Sequence, residues 1–322
     1  MPTTTAQPWD VHRPPRAEDR TVLVTGGNAG IGYFTAEQLA GTGATVVLGS
    51  RNPARAAVAL DTLRSRVPDA RVRAVRLDLA DLPSLDGTAA ALGSLGVDRL
   101  DAVVLNAGVA LDDPPRAETG AGHELMFATN HLGHFALVRW LLPLLAAAPA
   151  GRVVTTGSFA AKTERLDLAD LQSRTDYRPK RAYGRSKLAQ MYFGLELDRR
   201  LRAAGSAVTS VVVHPGGALD GLTPARRRVH EPAAGTRLGS APAAVLVQGK
   251  HAGAWPAVRA VLDPAVSGGQ LWGPRVFGLR GRPRLEPLWP HLTDTAVAAR
   301  LWEASVRLTG VDPADGLGTA GT

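Results

Sequence analysis

The sequence predicts an α/β protein built on a doubly wound parallel sheet. Between Thr21 and about Val213, short β-branched runs alternate with stretches of helical length, and each run is bounded by Gly, Pro, Asn or Asp. Strands covered by helices on both faces read as such uninterrupted apolar runs. The composition agrees: 322 residues, 45% hydrophobic and 20% charged, supply a sizeable core.

The strands are placed at Thr21–Val24, Ala44–Leu48, Val72–Val75, Ala102–Leu105, Arg152–Thr155 and Val208–Val213. Helices are placed at Ile31–Leu39, Ala54–Arg66, Leu125–Leu145 and Ala182–Arg202. After Val213 the pattern weakens. Residues 214–256 are rich in Gly, Pro, Ala and Arg and read as a substrate lid beyond a strand's carboxyl end. A last strand is placed around Gln270–Trp272 and a last helix over Asp294–Leu308. Residues 20–310 thus read as one domain, with flexible tails at 1–19 and 311–322.

Composition also excludes classes of function. With no cysteine, thiolate nucleophiles, thiolate metal sites and disulfides are removed together. His131 and His134 lack a third ligand at metal spacing, so no metal is expected. No stretch reaches the ~18–20 apolar residues of a membrane span. Residues 1–20 carry Pro2, Pro8, Pro14 and Pro15 and no apolar leader core, so the expectation is a cytoplasmic protein. The formal charge is +8, but the arginines are scattered and aromatics make up only 5%, which argues against a nucleic-acid partner. The run Arg226–Arg228 reads as a solvated loop face.

The first strand runs straight into Thr25-Gly26-Gly27-Asn28-Ala29-Gly30-Ile31-Gly32 and then a helix. Glycines there allow a tight turn and close backbone approach to a pyrophosphate, while the helix N-terminus offers free N–H groups. The cofactor side is therefore Gly26, Asn28, Gly30, Ile31 and Gly32, in a Rossmann-like context. About twenty residues on, where a carboxylate would bind a ribose 2′-hydroxyl, the second strand ends in Ser50 and Arg51. A hydroxyl and a guanidinium suit a 2′-phosphate, so NADP(H) is expected over NAD(H).

Further motifs complete the set: Asn106-Ala107-Gly108 after the fourth strand, Ser158 after the fifth, and Tyr183-Gly184-Arg185-Ser186-Lys187 opening a helix. Together with the glycine loop, this resembles the short-chain dehydrogenase/reductase family in its compact single-domain branch. Asn130–Phe135 and Arg300-Leu301-Trp302-Glu303 are similar to its retinol dehydrogenase/protochlorophyllide reductase-like group. The resemblance implies that Tyr183 is the general acid/base, with Lys187 favouring its ionised form and binding the nicotinamide ribose. It implies that Ser158 bonds the substrate oxygen and Asn130 holds a relay water. Asp78 and Leu79 would meet the adenine, Asn106, Ala107 and Gly108 would wall the cofactor, and Pro215 and Gly216 would flank the nicotinamide. The family contains dimers and tetramers, so a homo-oligomer is compatible.

Two departures stand out. Where many relatives have Pro-Gly-x-x-x-Thr, this chain has Asp220 at the last position. Either Asp220 accepts from the carboxamide or the loop takes another path. Gly157 stands where relatives often carry a second Ser, which loosens the turn. Phe159, Leu219, Leu222 and Trp255 are the candidate substrate walls, and their apolar character points to a lipophilic carbonyl or alcohol. Two other readings are a non-catalytic NADPH-binding sensor and a nucleotide-sugar epimerase. The retained Tyr183 and Lys187 argue against the first, the glycine spacing against the second.

Overall fold

The computed structural model describes residues 9–111 and 115–317. The first half is β1 (Thr21–Thr25), α1 (Gly30–Gly41), β2 (Thr45–Ser50), α2 (Pro53–Arg66), β3 (Val72–Arg76), α3 (Thr88–Ser94) and β4 (Ala102–Leu105). The middle is α4 (Leu125–Phe127), a π turn (Ala128–Leu132), α5 (Gly133–Ala146), β5 (Arg152–Thr156), α6 (Pro179–Ala203) and β6 (Thr209–Val213). Then come β7 (Ala218–Leu219), α7 (Ala234–Ser240), β8 (Gln248–Gly249), α8 (Lys250–Gly253) and α9 (Trp255–Leu262). The final elements are β9 (Leu271–Val276), β10 (Arg280–Glu286) and α10 (Thr295–Thr309).

Eight strands form one sheet in the order β10-β9-β6-β5-β4-β1-β2-β3, parallel except for the antiparallel β10 at the edge. Chain order reverses between β1 and β4, so a crevice opens beyond their carboxyl ends. Successive side chains of a strand feed opposite faces. Val22 and Val24 pack with α1, α2 and α9, while Leu23 packs with α5, α6 and Trp302.

Local signals set several helix starts. Asn52 accepts from the Arg55 N–H ahead of α2, with Pro53 at its first position. Asp294 caps α10 through the Val297 N–H, and Gly310 ends that helix with φ +73°.

Three departures from the sequence reading have physical causes. The helix placed over Leu125–Leu145 is interrupted at Ala128–Leu132, where the Gly133 N–H reaches the Ala128 carbonyl in a π turn. The strand β10, with sequence RGRPRLE, was invisible to apolar patterning because only an edge strand tolerates that charge and Pro283. The tails are packed where the structure describes them. Val11 and Ala17 are buried, and the Arg259 guanidinium sits between the Trp9 and Trp272 rings. At the other end Asp312 accepts from the Trp302 indole, and Ala314 joins the same core. Residues 1–8 and 318–322 lie outside the described residues.

Among the described residues no helix is long and apolar enough to cross a membrane. The start of α5 lies directly on the strand-end loop at Leu79. A Cβ added to Gly133 would come within 2.2 Å of the Leu79 carbonyl oxygen. Gly133→Ala is therefore expected to cost about 1–3 kcal/mol through overpacking. A denaturation midpoint equal to that of the parent chain would contradict this packing.

Candidate active site

The glycine loop is shaped by contacts that tolerate no side chain. Gly26 has φ +66°, and a Cβ there would lie 2.9 Å from the Ala107 Cα. A Cβ on Gly32 would lie 2.4 Å from both the Asn106 Nδ2 and the Gly26 carbonyl. Gly30, with φ +56°, faces open space instead. The first turn of α1 carries no acidic residue, and Ala29 before it offers no capping side chain. The N–H groups of that turn thus point from an open cradle that fits a dinucleotide pyrophosphate, with Asn28 and Ile31 on its rim.

The Thr25 hydroxyl ties this loop to its neighbours. Its Oγ1 accepts from the Asn106 and Ala107 N–H groups, each at 2.9 Å, and lies 2.8 Å from His134 Nε2. The other His134 nitrogen lies 3.1 Å from the Asn130 carbonyl. Burial keeps this ring neutral, with its pKa lowered to about 4. The tautomer protonated at Nδ1 donates to Asn130 and accepts from Thr25, which satisfies both contacts.

Asn130 sits in the π turn with its side chain fully engaged. It accepts from the Val109 N–H at 2.7 Å and donates to the Val109 carbonyl at 3.0 Å and the Ser186 hydroxyl at 2.9 Å. A Cβ on Gly108 would meet Asn130 Oδ1 at 3.0 Å and Lys187 Nζ at 3.1 Å. Gly108, Asn130 and Lys187 are thus brought together at the crevice floor. Lys187 is 4% exposed and donates to the Thr156 carbonyl at 3.1 Å. Burial lowers its pKa to about 8.

Tyr183 lies one helical turn before Lys187 and faces Ser158. Burial raises the phenol pKa above its ordinary value, and the Ser158 hydroxyl beside it works in the opposite direction. In the cofactor-free structure Lys187 Nζ is turned to Thr156, and the influences on the Tyr183 phenol are burial and the Ser158 hydroxyl. Ser158 also caps the short 3-10 turn Phe159–Thr163, accepting from the Ala160 N–H at 3.2 Å. Gly157 is more than a loose turn: a Cβ there would lie 2.5 Å from Met191 Cγ, so a second Ser would require the Met191 side chain on α6 to move.

The remaining sequence-predicted residues divide. Arg51 is exposed at the end of β2. Ser50 is buried, and its hydroxyl is engaged with the Asn52 backbone, donating at 3.1 Å to the carbonyl. Asp78 accepts from the Ala80 N–H, and Leu79 is buried under α5. Pro215 and Gly216 are pinned by β8 and the last hairpin: Gln248 donates to the Pro215 carbonyl, and the Gly217 N–H donates to the Leu279 carbonyl. The loop takes another path at Asp220, whose carboxylate is 2.5 Å from Lys250 Nζ.

The proposed substrate walls do not form one pocket. Phe159 packs against Trp289 and His214 beside the Ser158 turn. Leu222 and Trp255 instead line a separate cleft of about 410 Å³ with Gln248 and His251. The Arg226–Arg228 run is not wholly solvated either, since Arg226 forms a paired contact with Glu37 on α1, at 2.6 Å for each nitrogen. Sequence reasoning missed Thr25, His134 and Ser186. His134 stands four residues after Asn130 on a helix, the one signal that could have found it. His131 is buried against Ser305, and burial lowers its pKa to about 3. Among the described residues no group of three or more His, Asp or Glu could hold a metal ion.

The buried Lys187 ammonium, with no carboxylate against it, has a thermodynamic consequence. Its pKa is lower folded than unfolded, so this group destabilises the cofactor-free protein below pH 8. The deficit is relieved as pH rises from 8 toward the unfolded value near 10.5. Lys187→Met is expected to stabilise the cofactor-free chain by roughly 2–3 kcal/mol at pH 7 while abolishing activity. Unfolding curves at pH 7 and 10 read this directly. A variant less stable at pH 7 would contradict the account.

The family described as short chain dehydrogenase matches residues 20–231. Polyprenol dehydrogenase of Mus musculus is 38% identical over 313 residues, covering 95% of this chain and 88% of its own length. Retinol dehydrogenase 14 of the same organism is 35% identical, covering 91% and 86%. Among solved structures, an uncharacterized protein from Mycobacterium Paratuberculosis superposes with a TM-score of 0.75 at 35% identity, over 94% of this chain and 98% of that one. The Pseudomonas aeruginosa RhlG/NADP active-site complex does so with a TM-score of 0.59 at 26% identity, over 78% and 93%. The chain belongs to the short-chain dehydrogenase/reductase family.

Proposed function

We propose that the chain is an NADP(H)-dependent oxidoreductase acting between a lipophilic alcohol and its ketone or aldehyde. One observation carries the reading: Ser158 and Tyr183 face each other at the mouth of the crevice whose floor holds Gly108, Asn130 and Lys187. A sensor that only bound the cofactor would have no use for that arrangement. The names of the relatives, polyprenol and retinol dehydrogenases, support the substrate class, and the RhlG/NADP complex supports the cofactor.

The glycine cradle and the free N–H groups of α1 would hold the pyrophosphate. Arg51 would take the 2′-phosphate, with Ser50 shaping the turn beneath it, and Asp78 and Leu79 would border the adenine. Asn106, Ala107 and Gly108 would wall one side, and Pro215 and Gly216 the other. When bound, the nicotinamide supplies or accepts the hydride.

The chain's own residues handle the proton. In reduction the Tyr183 hydroxyl gives its proton to the carbonyl oxygen, and in oxidation the phenolate takes it from the alcohol. Ser158 donates to the same oxygen and steadies its developing charge. Lys187 would donate to the ribose, and through that bound ribose its charge would favour the phenolate. Asn130 fixes the π turn and so the wall around Lys187.

Tyr183→Phe is expected to cut reduction of a lipophilic aldehyde by about 10²–10⁴-fold, with NADPH affinity within a factor of two. Unchanged turnover would remove Tyr183 from the chemistry. Arg51→Asp is expected to weaken NADPH at least tenfold and leave NADH little changed, since a guanidinium–phosphate contact becomes a like-charge one. An unaltered preference in fluorescence titrations would mean that Arg51 does not meet the 2′-phosphate.

A further inference from the structure

The exposed large hydrophobic side chains are not scattered. Among the described residues, all of them fall between Leu219 and Leu285. Leu238 on α7 is 79% exposed, Val245 72% and Phe277 78%, with Leu246 and Val276 beside them. These come from three adjoining segments. The 3-10 turn Ala241–Val245 continues directly from α7. Arg280, directly after the tip turn of the last hairpin, donates to the Ala244 carbonyl at 2.6 Å and the Val245 carbonyl at 3.0 Å.

The hairpin tip repeats the anomaly in its backbone. Val276 to Leu279 form a turn closed by the Leu279 N–H to the Val276 carbonyl at 2.9 Å. Both central residues have positive φ, +54° at Phe277 and +70° at Gly278. Such a turn favours Asn, Asp or Gly at its first central position. An aromatic there is unfavourable to the turn and unfavourable to solvation, so neither the fold nor the turn accounts for it.

The exposed charge around this apolar tip is basic, and the carboxylate nearest to it, Glu286, is a buried side chain turned to His214. Residues 232–249 and 271–285 contain Arg237, Arg275, Arg280, Arg282 and Arg284 and no acidic residue. We propose that this face docks on an anionic lipid bilayer, with Phe277 entering the headgroup region and the arginines meeting the lipid phosphates and carboxylates. Apolar and aromatic side chains ringed by basic residues bind such surfaces through interfacial burial plus charge attraction. A symmetric contact with a second copy would set these arginines against their own kind. The location also serves the site: a Cβ on Gly278 would lie 3.0 Å from Phe159, the residue after Ser158, and Leu279 holds Gly217. Docking therefore brings the mouth of the crevice to the membrane, where a lipophilic alcohol resides.

The test is co-sedimentation of the full chain with phosphatidylcholine vesicles and with vesicles also containing phosphatidylserine. The wild type is expected to pellet with the phosphatidylserine vesicles and to be released by high salt. Arg275→Glu and Arg282→Glu should each weaken binding roughly fivefold or more, from the attraction per basic residue near an anionic surface. Phe277→Gly should weaken it at least fivefold while leaving thermal stability equal or higher, because glycine suits the positive φ. No binding by the wild type, or binding by Phe277→Gly equal to it, would overturn the proposal. So would light scattering showing that Phe277→Gly dissociates a dimer, which would assign the face to a second copy. Sedimentation reads docking without turnover, so its outcome is independent of the catalytic assignment.

Discussion

The rest of the site depends on one hydroxyl, that of Thr25 at the end of β1. It receives two backbone N–H groups from the end of β4 and meets the His134 ring on α5. Through the neutral imidazole it reaches the Asn130 carbonyl, which the π turn makes available. The strand that launches the glycine loop, the wall formed by Asn106 to Gly108, and the helix carrying Asn130 are thereby locked to one another. Thr25, His134 and Asn130 are fully buried, where a missing partner costs about 1–3 kcal/mol. The crevice is therefore set before any ligand arrives.

A second constraint acts on charge. The fold buries the Lys187 ammonium with only a backbone carbonyl for company, an arrangement that opposes stability and suits a site awaiting an electron-rich partner. The phenol of Tyr183 is likewise pushed up by burial. Without ligand the site thus holds a reluctant cation beside a reluctant acid. Binding of the dinucleotide would act on each differently, its ribose hydroxyls accepting from the ammonium and its positively charged oxidised ring favouring the phenolate, which couples cofactor binding to readiness for proton transfer.

Much of this was legible in the residues. The six central strands and the glycine loop announce themselves because burial on both faces demands β-branched runs, and close backbone approach demands glycine at Gly26 and Gly32. Tyr183 and Lys187 are legible from helical spacing. What was not legible arises from contacts between distant segments. The π turn at Asn130 changes no composition, and β10 is an edge strand whose arginines and Pro283 hide its pairing. The constraint on Gly157 comes from Met191 on α6, 34 residues away in sequence. The packed tails follow from Arg259 lying between two tryptophans far apart in sequence. The sequence placed Phe159 and Trp255 in one pocket, yet the last hairpin and Gln248 separate them.

The most direct test is the ionisation of Tyr183 followed by ultraviolet difference titration, with and without NADP⁺. The chain has four tyrosines, and burial raises the pKa of Tyr33, Tyr177 and Tyr192 as well, so a phenol ionising below pH 10 stands alone. The account predicts no such step in the cofactor-free protein, one phenol titrating below pH 10 with NADP⁺ bound, and its loss in Tyr183→Phe. A Tyr183 titration that NADP⁺ leaves unmoved would contradict the claim that the cofactor site and the proton-transfer site are one unit.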